Sequence, residues 1–207
     1  MNKMKLHVRI GMLALLTITI ACKESKKTDN SNEVVKDDMV EEVTAVVSKA
    51  KKSASQLDIL AETTPMSQLE YQDWLPKTVL KIPLVRNTVN DHAEIPEQGI
   101  LAVYESGKRK IELRLIDMVG SQAQLFAVYQ NTIGKEYHNR EEKTHYRKAV
   151  KKQGYLANET HDYGGDRMYS FLRFIHDDRY LVSIKANGFS PDDIWNDINE
   201  FNFNKLK

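Results

Sequence analysis

Four segments rich in β-branched and aromatic residues follow one another near the C-terminus, separated by turn residues. The segments are KTHYRKAV (143–150), YLANETHDY (155–163), RMYSFLRFI (167–175) and YLVSIKAN (180–187). The turn residues between them are Lys152-Gln153-Gly154, Gly164-Gly165 and His176-Asp177-Asp178. Because Gly and Asp favour tight turns, this spacing predicts successive hairpins and therefore an antiparallel meander.

Helix and strand signals before the meander predict an α+β domain. Thr64-Pro65 has the pattern of an N-cap and a first helical residue, and Ser67 with Glu70 offers a capping box. This short helix must end before Pro76.

Two strand signals and a further helix signal follow the first helix. A strand is expected over 79–85, where Pro83 would confine it to a sheet edge or a bulge. The alternating stretch 100–118 predicts a hairpin about residues 106–107. A helix is then expected over 120–134, which opens and ends with glycine.

The C-terminal segment predicts a helix that covers the sheet. Ser190 has the pattern of an N-cap and Pro191 that of a first helical residue. The apolar stripe consists of Ile194, Trp195, Ile198 and Phe201. We expect Trp195 to pack on the meander as part of this cover and not to bind a ligand.

The N-terminus has the pattern of an export signal. Lys3, Lys5 and Arg9 precede an uncharged run from Ile10 to Ile20, without an acidic residue. A helical run of this length covers about 16 Å, against about 30 Å of bilayer hydrocarbon, so it is too short for a permanent span. We expect residues 1–21 to be a signal peptide that is removed.

Cys22, the only cysteine, directly follows Ala21. This junction resembles the lipobox of bacterial lipoproteins, which implies diacylglycerol on the thiol and a palmitate-type lipid anchor in a membrane. The alternative is an ordinary thiol in a secretory signal that is cut elsewhere. An Asp directly after the cysteine would resemble a signal for retention in the inner membrane. Lys23 stands at this position, so the outer membrane is favoured. Lys23 and Glu24 also resemble a surface-export signal, so the periplasmic face and the cell surface both stay open.

The segment 22–63 is predicted to be a disordered tether that starts at the acylated cysteine and precedes a globular domain at 64–207. From Lys23 onward it contains many charges, no glycine and no aromatic residue. A valine-rich stripe between Val35 and Val47 leaves two alternatives: a docked helix, or a fraying helix in a solvated linker.

The charge balance argues against a nucleic-acid partner. Without the leader, 27 basic residues stand against 29 acidic residues, a net charge of about −2. Binding to nucleic acid requires a basic excess that the mature chain does not have.

Two turn clusters carry side chains that metals use as ligands: His161, Asp162 and Asp166, and His176, Asp177 and Asp178. Turn chemistry explains both clusters better, and neither has a known ligand spacing. The chain also contains no G-x-S-x-G motif, no second cysteine and no phosphate-binding loop. We therefore predict no catalytic residue, no cofactor and no metal site.

The densest charged feature of the domain is a basic run: Lys143, His145, Arg147, Lys148, Lys151 and Lys152. Strand alternation puts Lys143, His145, Arg147 and Lys151 on one face. This face is either a solvated one or a contact for lipid headgroups, lipopolysaccharide phosphates or an acidic partner.

The segment 167–175 is apolar on both sides. Tyr169 and Phe171 alternate with Leu172 and Phe174. The pattern predicts a central strand that is covered on both faces and is not a platform for a ligand.

The order of these motifs resembles a known group of proteins. The motifs are WLP (74–76), LVRNTVN (84–90), AVYESGKRKIELRLID (102–117), GYLANE (154–159), DRYLVSIKANG (178–188) and SPDDIWNDI (190–198). They resemble uncharacterised bacterial lipoproteins and periplasmic proteins similar to the PsbP and Mog1 type of α/β/α sandwich. The resemblance covers about residues 66–203. It implies an exported protein of a fold whose members commonly act as assembly or interaction factors, and it implies no catalytic residue.

Two function classes follow. The first is a non-enzymatic, lipid-anchored envelope protein that binds a partner protein or an anionic envelope component. The second is an enzyme or metal-dependent factor. A pocket that joins two or more of His145, His161 and His176 would favour the second class.

Overall fold

A computed structural model describes residues 53–90, 98–135, 140–141, 145–164 and 167–206, without the side chains of residues 140, 141 and 167. Cys22, most of the predicted tether, Lys143 and Asp166 lie outside these residues. None of the helices in the described ranges is long and apolar enough to cross a membrane.

The described strands form an antiparallel sheet with helices on both faces. Within the described ranges, nine strands take the order β1-β2-β3-β4-β9-β8-β7-β6-β5. Their bounds are Thr78–Val79 (β1), Ile82–Val89 (β2), Gly99–Ser106 (β3), Arg109–Asp117 (β4), Arg140–Glu141 (β5), His145–Lys152 (β6), Tyr155–Gly164 (β7), Arg167–His176 (β8) and Tyr180–Asn187 (β9). The prediction of an α+β fold with an antiparallel meander is confirmed, because β5 to β9 follow one another as neighbours in the sheet.

Turn chemistry sets the meander as the sequence predicted. Gln153 and Gly154 have φ angles of 52° and 82°, and Asp177 and Asp178 have φ angles of 52° and 48°. Gly and Asp tolerate this left-handed conformation better than most residues. The β3–β4 hairpin then joins the end of the meander through β4 and β9, which also pair antiparallel.

The strand expected over 79–85 is in fact two strands. Leu80 and Lys81 have φ angles of 46° and 62° and form the turn between β1 and β2. The prediction was wrong here because neither residue type is a usual turn signal. Pro83 stands opposite Thr78 in the short outer pair, and β2 has a bulge between Leu84 and Arg86.

The helices are α1, described over 53–62, α2 (Gln68–Trp74), α3 (Ala123–Thr132) and α4 (Pro191–Asn196). The capping box of α2 is confirmed: Glu70 N donates to Ser67 Oγ at 3.3 Å, and Ser67 N donates to Glu70 Oε2 at 2.8 Å. The cap expected at Thr64-Pro65 is wrong, because Ser67 is the N-cap.

The expected single C-terminal helix is divided. Ser190 caps α4 through a capping box with Asp193, as its sequence predicted. Two 3-10 turns, Ile198–Phe201 and Phe203–Lys205, continue the chain after α4. The predicted apolar stripe is nevertheless buried throughout, and Trp195 is only 2% exposed.

The sheet separates two apolar clusters. On the first face, which we call the closed face, α2, α4 and the 3-10 turns pack against alternate residues such as Leu113, Leu172 and Ile184. On the second face, α1 and α3 pack against residues such as Ile116 and Leu181. The two sets alternate along the strands, because successive side chains point to opposite faces.

Residues 53–62, which the tether was expected to include, pack with the domain. They form α1, and Leu60 is 2% exposed within the second apolar cluster. Ser53 Oγ donates a hydrogen bond to Gln130 Oε1 of α3 at 2.8 Å. The described part of this segment is therefore a covering helix and not a linker.

A buried ion pair holds the start of α2 on the sheet. Asp117, at the end of β4, is 0% exposed and accepts two hydrogen bonds from Arg179, each at 2.7 Å. Met66 N also donates to Asp117 Oδ2 at 3.0 Å, and Arg179 donates to the Thr64 carbonyl at 3.3 Å. These donors satisfy both oxygens of the buried Asp117 side chain, so the pair joins β4, Arg179 and the start of α2.

Candidate functional site

An open groove lies on the sheet face that α1 and α3 cover only in part. It has a volume of about 150 Å³. Its lining residues come from β3, β4, β8 and β9: Leu101, Glu112, Arg114, Phe171, Arg173, Ser183 and Lys185. Within the described chain, Lys185 is exposed and Leu101 and Phe171 are only half-buried, so a ligand can reach the floor.

The register of the sheet brings these side chains together. Lys185 of β9 stands between Glu112 of β4 and Phe171 of β8. One step along the strands, Ser183 stands between Arg114 and Arg173 in the same way. Residues two apart in a strand share a face, so both rows line the groove, and the side chains of the residues between the rows point to the closed face.

The groove carries more positive than negative charge. Its charged lining residues are Arg114, Arg173, Lys185 and Glu112. Glu112 forms an ion pair with Lys110 at 2.7 Å. Arg173 donates from Nε to Ser183 Oγ at 3.2 Å, and its guanidinium carbon lies 5.0 Å from the centre of the Phe171 ring. A guanidinium held in this way binds carboxylate or phosphate oxygens through its other N–H groups.

A second group of polar residues is buried on the closed face around Glu159, which is 0% exposed. Its carboxylate accepts hydrogen bonds from Tyr146 Oη at 2.7 Å, Trp195 Nε1 at 2.8 Å and Lys152 Nζ at 3.3 Å. Lys152 also contacts Asp192 Oδ1 at 2.8 Å. These bonds join α4 to β6 and β7, so the group has a structural role.

Charges around Lys152 shift two pKa values in opposite directions. Burial alone would lower the pKa of Lys152, but its hydrogen bonds to Asp192 and Glu159 and their negative charges outweigh burial and raise it. The hydrogen bond from Lys152 and its positive charge lower the pKa of Asp192. Both shifts favour the charged forms and therefore this ion pair.

The histidines considered as ligands do not converge. His161 Nδ1 lies 3.3 Å from Ser170 Oγ. His176 is the last residue of β8, and its Nδ1 lies 2.9 Å from the Tyr155 hydroxyl. His145 stands opposite Asp162 and thus faces away from His161. Among the described residues, no group of three His, Cys, Asp or Glu side chains could hold a metal ion.

The basic run divides between the two faces as strand alternation predicted for its described members. Arg147 and Lys151 are exposed on the face of the groove. Lys152 lies on the closed face at Glu159, and Lys148 lies 4.3 Å from the centre of the Tyr146 ring. The run is therefore not one basic surface.

The segment 167–175 is central in the sheet, as predicted, and the described residues cover its second face only in part. Leu172 and Phe174 are fully buried on the closed face. Phe171 and Arg173 instead line the groove. The predicted cover of the second face is present at Ile175, whereas the described residues leave Phe171 half-buried.

The other lining residues were not identified from the sequence. Leu101, Glu112 and Arg114 lie in the stretch 100–118, for which the sequence predicts only a hairpin, and Ser183 and Lys185 lie in a segment that predicts only a strand. Alternation within each strand gave the correct face, but the groove forms only because β4 pairs with β9.

In comparisons with known proteins, no protein-family model, no curated protein and no solved structure matches the chain. No residue role is therefore carried over from a relative. The groove geometry and the sequence patterns are the basis for a functional assignment.

Proposed function

We propose that this protein is a lipid-anchored envelope lipoprotein that acts as a non-enzymatic binding or assembly factor. The leader at 1–21 and the Ala21-Cys22 junction support acylation at Cys22 and location in the outer membrane, at its periplasmic face or at the cell surface. The domain would then meet its partner within reach of the membrane.

A PsbP/Mog1-like α/β/α sandwich is the finer fold assignment that we propose. An antiparallel sheet with helices packed on both faces is consistent with that arrangement. The resemblance implies a fold whose members commonly act as assembly or interaction factors, and it implies no catalytic residue.

The observation that carries the proposed function is the open groove. Three cationic side chains and a half-buried phenylalanine line it, on the sheet face that α1 and α3 cover only in part. Such a surface binds an anionic partner, because cations give electrostatic complementarity and an aromatic ring adds contact area. The alternative, an enzyme or a metal-dependent factor, is less well supported, since the groove contains no histidine and the described histidines are separated.

Replacement of Cys22 by Ser tests the anchor. We expect the parent protein to fractionate with membranes and to carry an acyl modification on an N-terminal Cys22. The Cys22→Ser chain should lose that mass and leave the membrane fraction, because the thiol that carries the lipid is gone. A variant that stays equally membrane-bound with an unchanged N-terminal mass would contradict the anchor.

Site-specific photocrosslinking in the native envelope tests the binding surface. A photoreactive residue at Lys185, which is exposed at the groove, should give a defined crosslinked partner. The same residue at Gln72, which is exposed on α2 on the closed side of the sheet, is the matched control and should not give that product. Absence of a product at Lys185, or the same product at both positions, would reject the groove as the binding surface.

A further inference from the structure

The groove is the centre of a longer band of charge that runs across the strands. The first row of paired positions is Arg147, Thr160, Phe171, Lys185, Glu112, Val103 and Arg86. The second row is Ala149, Asn158, Arg173, Ser183, Arg114, Leu101 and Thr88. We call these two rows the cation band, and alternation puts both on the face of the groove.

The cation band is long, and five of its residues are cationic. Its cations are Arg86, Arg114, Arg147, Arg173 and Lys185, and its only acidic residue is Glu112. Each row crosses from β6 to β2 through β7, β8, β9, β4 and β3. At about 4.8 Å between strands, that distance is about 29 Å. One small anion could reach only a fraction of these cations.

The helices on the same face restrict what can approach the band. The guanidinium carbon of Arg173 lies 5.6 Å from the ring centre of Tyr129, so the second row of the cation band passes beside α3. A helix stands about 10 Å above a sheet that it packs on. A flat layer of lipid headgroups that rests on α1 and α3 is therefore held above the floor, whereas a narrow chain can lie on it.

We propose that the cation band binds an extended acidic polypeptide segment of a partner protein, which lies across the strands. This inference rests on the proposed binding function and names the class of partner. A length of about 29 Å corresponds to about nine residues of extended chain. Arginine pairs bidentately with carboxylates of the bound segment. Phe171 and Leu101 offer apolar surface for the segment's side chains that lie between those carboxylates.

A defined peptide tests this proposal directly. The probe is a labelled ten-residue peptide in which Glu and Leu alternate, titrated with the mature chain carrying Cys22→Ser and followed by fluorescence anisotropy. We expect saturable binding that weakens as salt rises from about 0.05 M to about 0.2 M, because the contacts are partly exposed ion pairs. The same peptide with Gln for every Glu should not bind.

Two charge-reducing double variants locate the binding. Arg114→Gln with Arg173→Gln should weaken peptide binding by about tenfold or more, since two carboxylate contacts are lost. Lys77→Gln with Lys205→Gln removes the same charge at exposed positions outside the band and should change binding less than about twofold. Lys185→Glu, at an exposed position, is a further variant that does not endanger folding and should also weaken binding.

Other outcomes would overturn the proposal. Equal effects of the two double variants would show that net charge alone attracts the peptide. Displacement of the peptide by pyrophosphate at the same molar concentration would indicate a site for a small free anion. Binding to vesicles that contain phosphatidylglycerol, without binding to the peptide, would indicate a membrane surface. A specific crosslink at Lys185 that the Glu-Leu peptide fails to displace would keep the binding function and reject the acidic segment.

Discussion

The two faces of the sheet are built from the same strands but have opposite properties. On β9, Val182 and Ile184 are fully buried on the closed face, whereas Lys185 on the other face is exposed. The closed face even holds a carboxylate, Glu159, within a complete set of donors. On the groove face, the side chain of Glu112 is 35% exposed and pairs with Lys110. The difference shows that the covering elements, and not the strands, decide whether a charged side chain is buried or exposed.

This contrast implies that the two faces respond differently to substitution. Contacts on the closed face contribute to the free energy of unfolding, because truncation there leaves cavities or unpaired polar groups. Most side chains in the groove are at least partly exposed, so their replacement should change stability less. Matched substitutions on the two faces can therefore test the division.

The largest effect is expected for Trp195→Ala. Its ring packs 5.8 Å from Phe174 and its Nε1 donates to Glu159. Loss of a buried tryptophan costs about 3 to 5 kcal/mol of the free energy of unfolding. The matched change on the groove face, Phe171→Ala, should cost about 1 kcal/mol, since Phe171 is only half-buried. Urea denaturation of both variants measures the difference.

Equal destabilisation by these two variants would remove the contrast between the faces. It would also show that the described residues do not include everything that covers Phe171. A Trp195→Ala chain that unfolds at the same urea concentration as the parent would make α4 a candidate for ligand binding and not a structural cover.

Local signals were sufficient for much of this fold. Gly154 and Asp177-Asp178 mark turns by residue type, and the alternation in 155–163 and 180–187 fixes which side chains share a face. The capping boxes at Ser67 and Ser190 were likewise readable, because each depends on residues three apart. Local chemistry determines these features, so the sequence predicts them.

Features that depend on distant contacts were not predictable. The turn at Leu80-Lys81 carries no turn-forming residue type, and its conformation follows from the pairing of β1 with β2. The sequence around Glu159 does not mark it as a core residue, because its neighbours Asn158 and Thr160 are polar and the passage of α4 over β7 is what buries it. The groove itself requires the pairing of β4 with β9, which residue patterns do not encode.

An intermediate effect is expected for Glu159→Gln, which keeps the shape of the side chain but removes its charge. Three donors point at the carboxylate, and an amide nitrogen cannot accept their hydrogen bonds. Leaving a buried donor unpaired costs about 1 to 3 kcal/mol. The control Glu112→Gln in the groove should cost less than about 0.5 kcal/mol. If the two variants unfold alike in urea, the Glu159 network is not structural.

The smallest effect concerns pH and the closed face near His176. Burial lowers the pKa of His176 below its ordinary value of 6.5, and the charge of Asp177 and a backbone bond at Phe203 only partly oppose this. The other titratable groups that face its ring are the hydroxyls of Tyr155 and Tyr180. The unfolded chain therefore binds a proton at this position more readily than the folded one, so stability should fall as pH drops below about 6.5. The Asp192 carboxyl, whose pKa is also lowered, contributes only below about pH 4.

His176→Gln should reduce the loss of melting temperature between about pH 7 and about pH 5. If the melting temperatures of parent and variant fall by the same amount over this pH range, protonation of His176 is not coupled to folding.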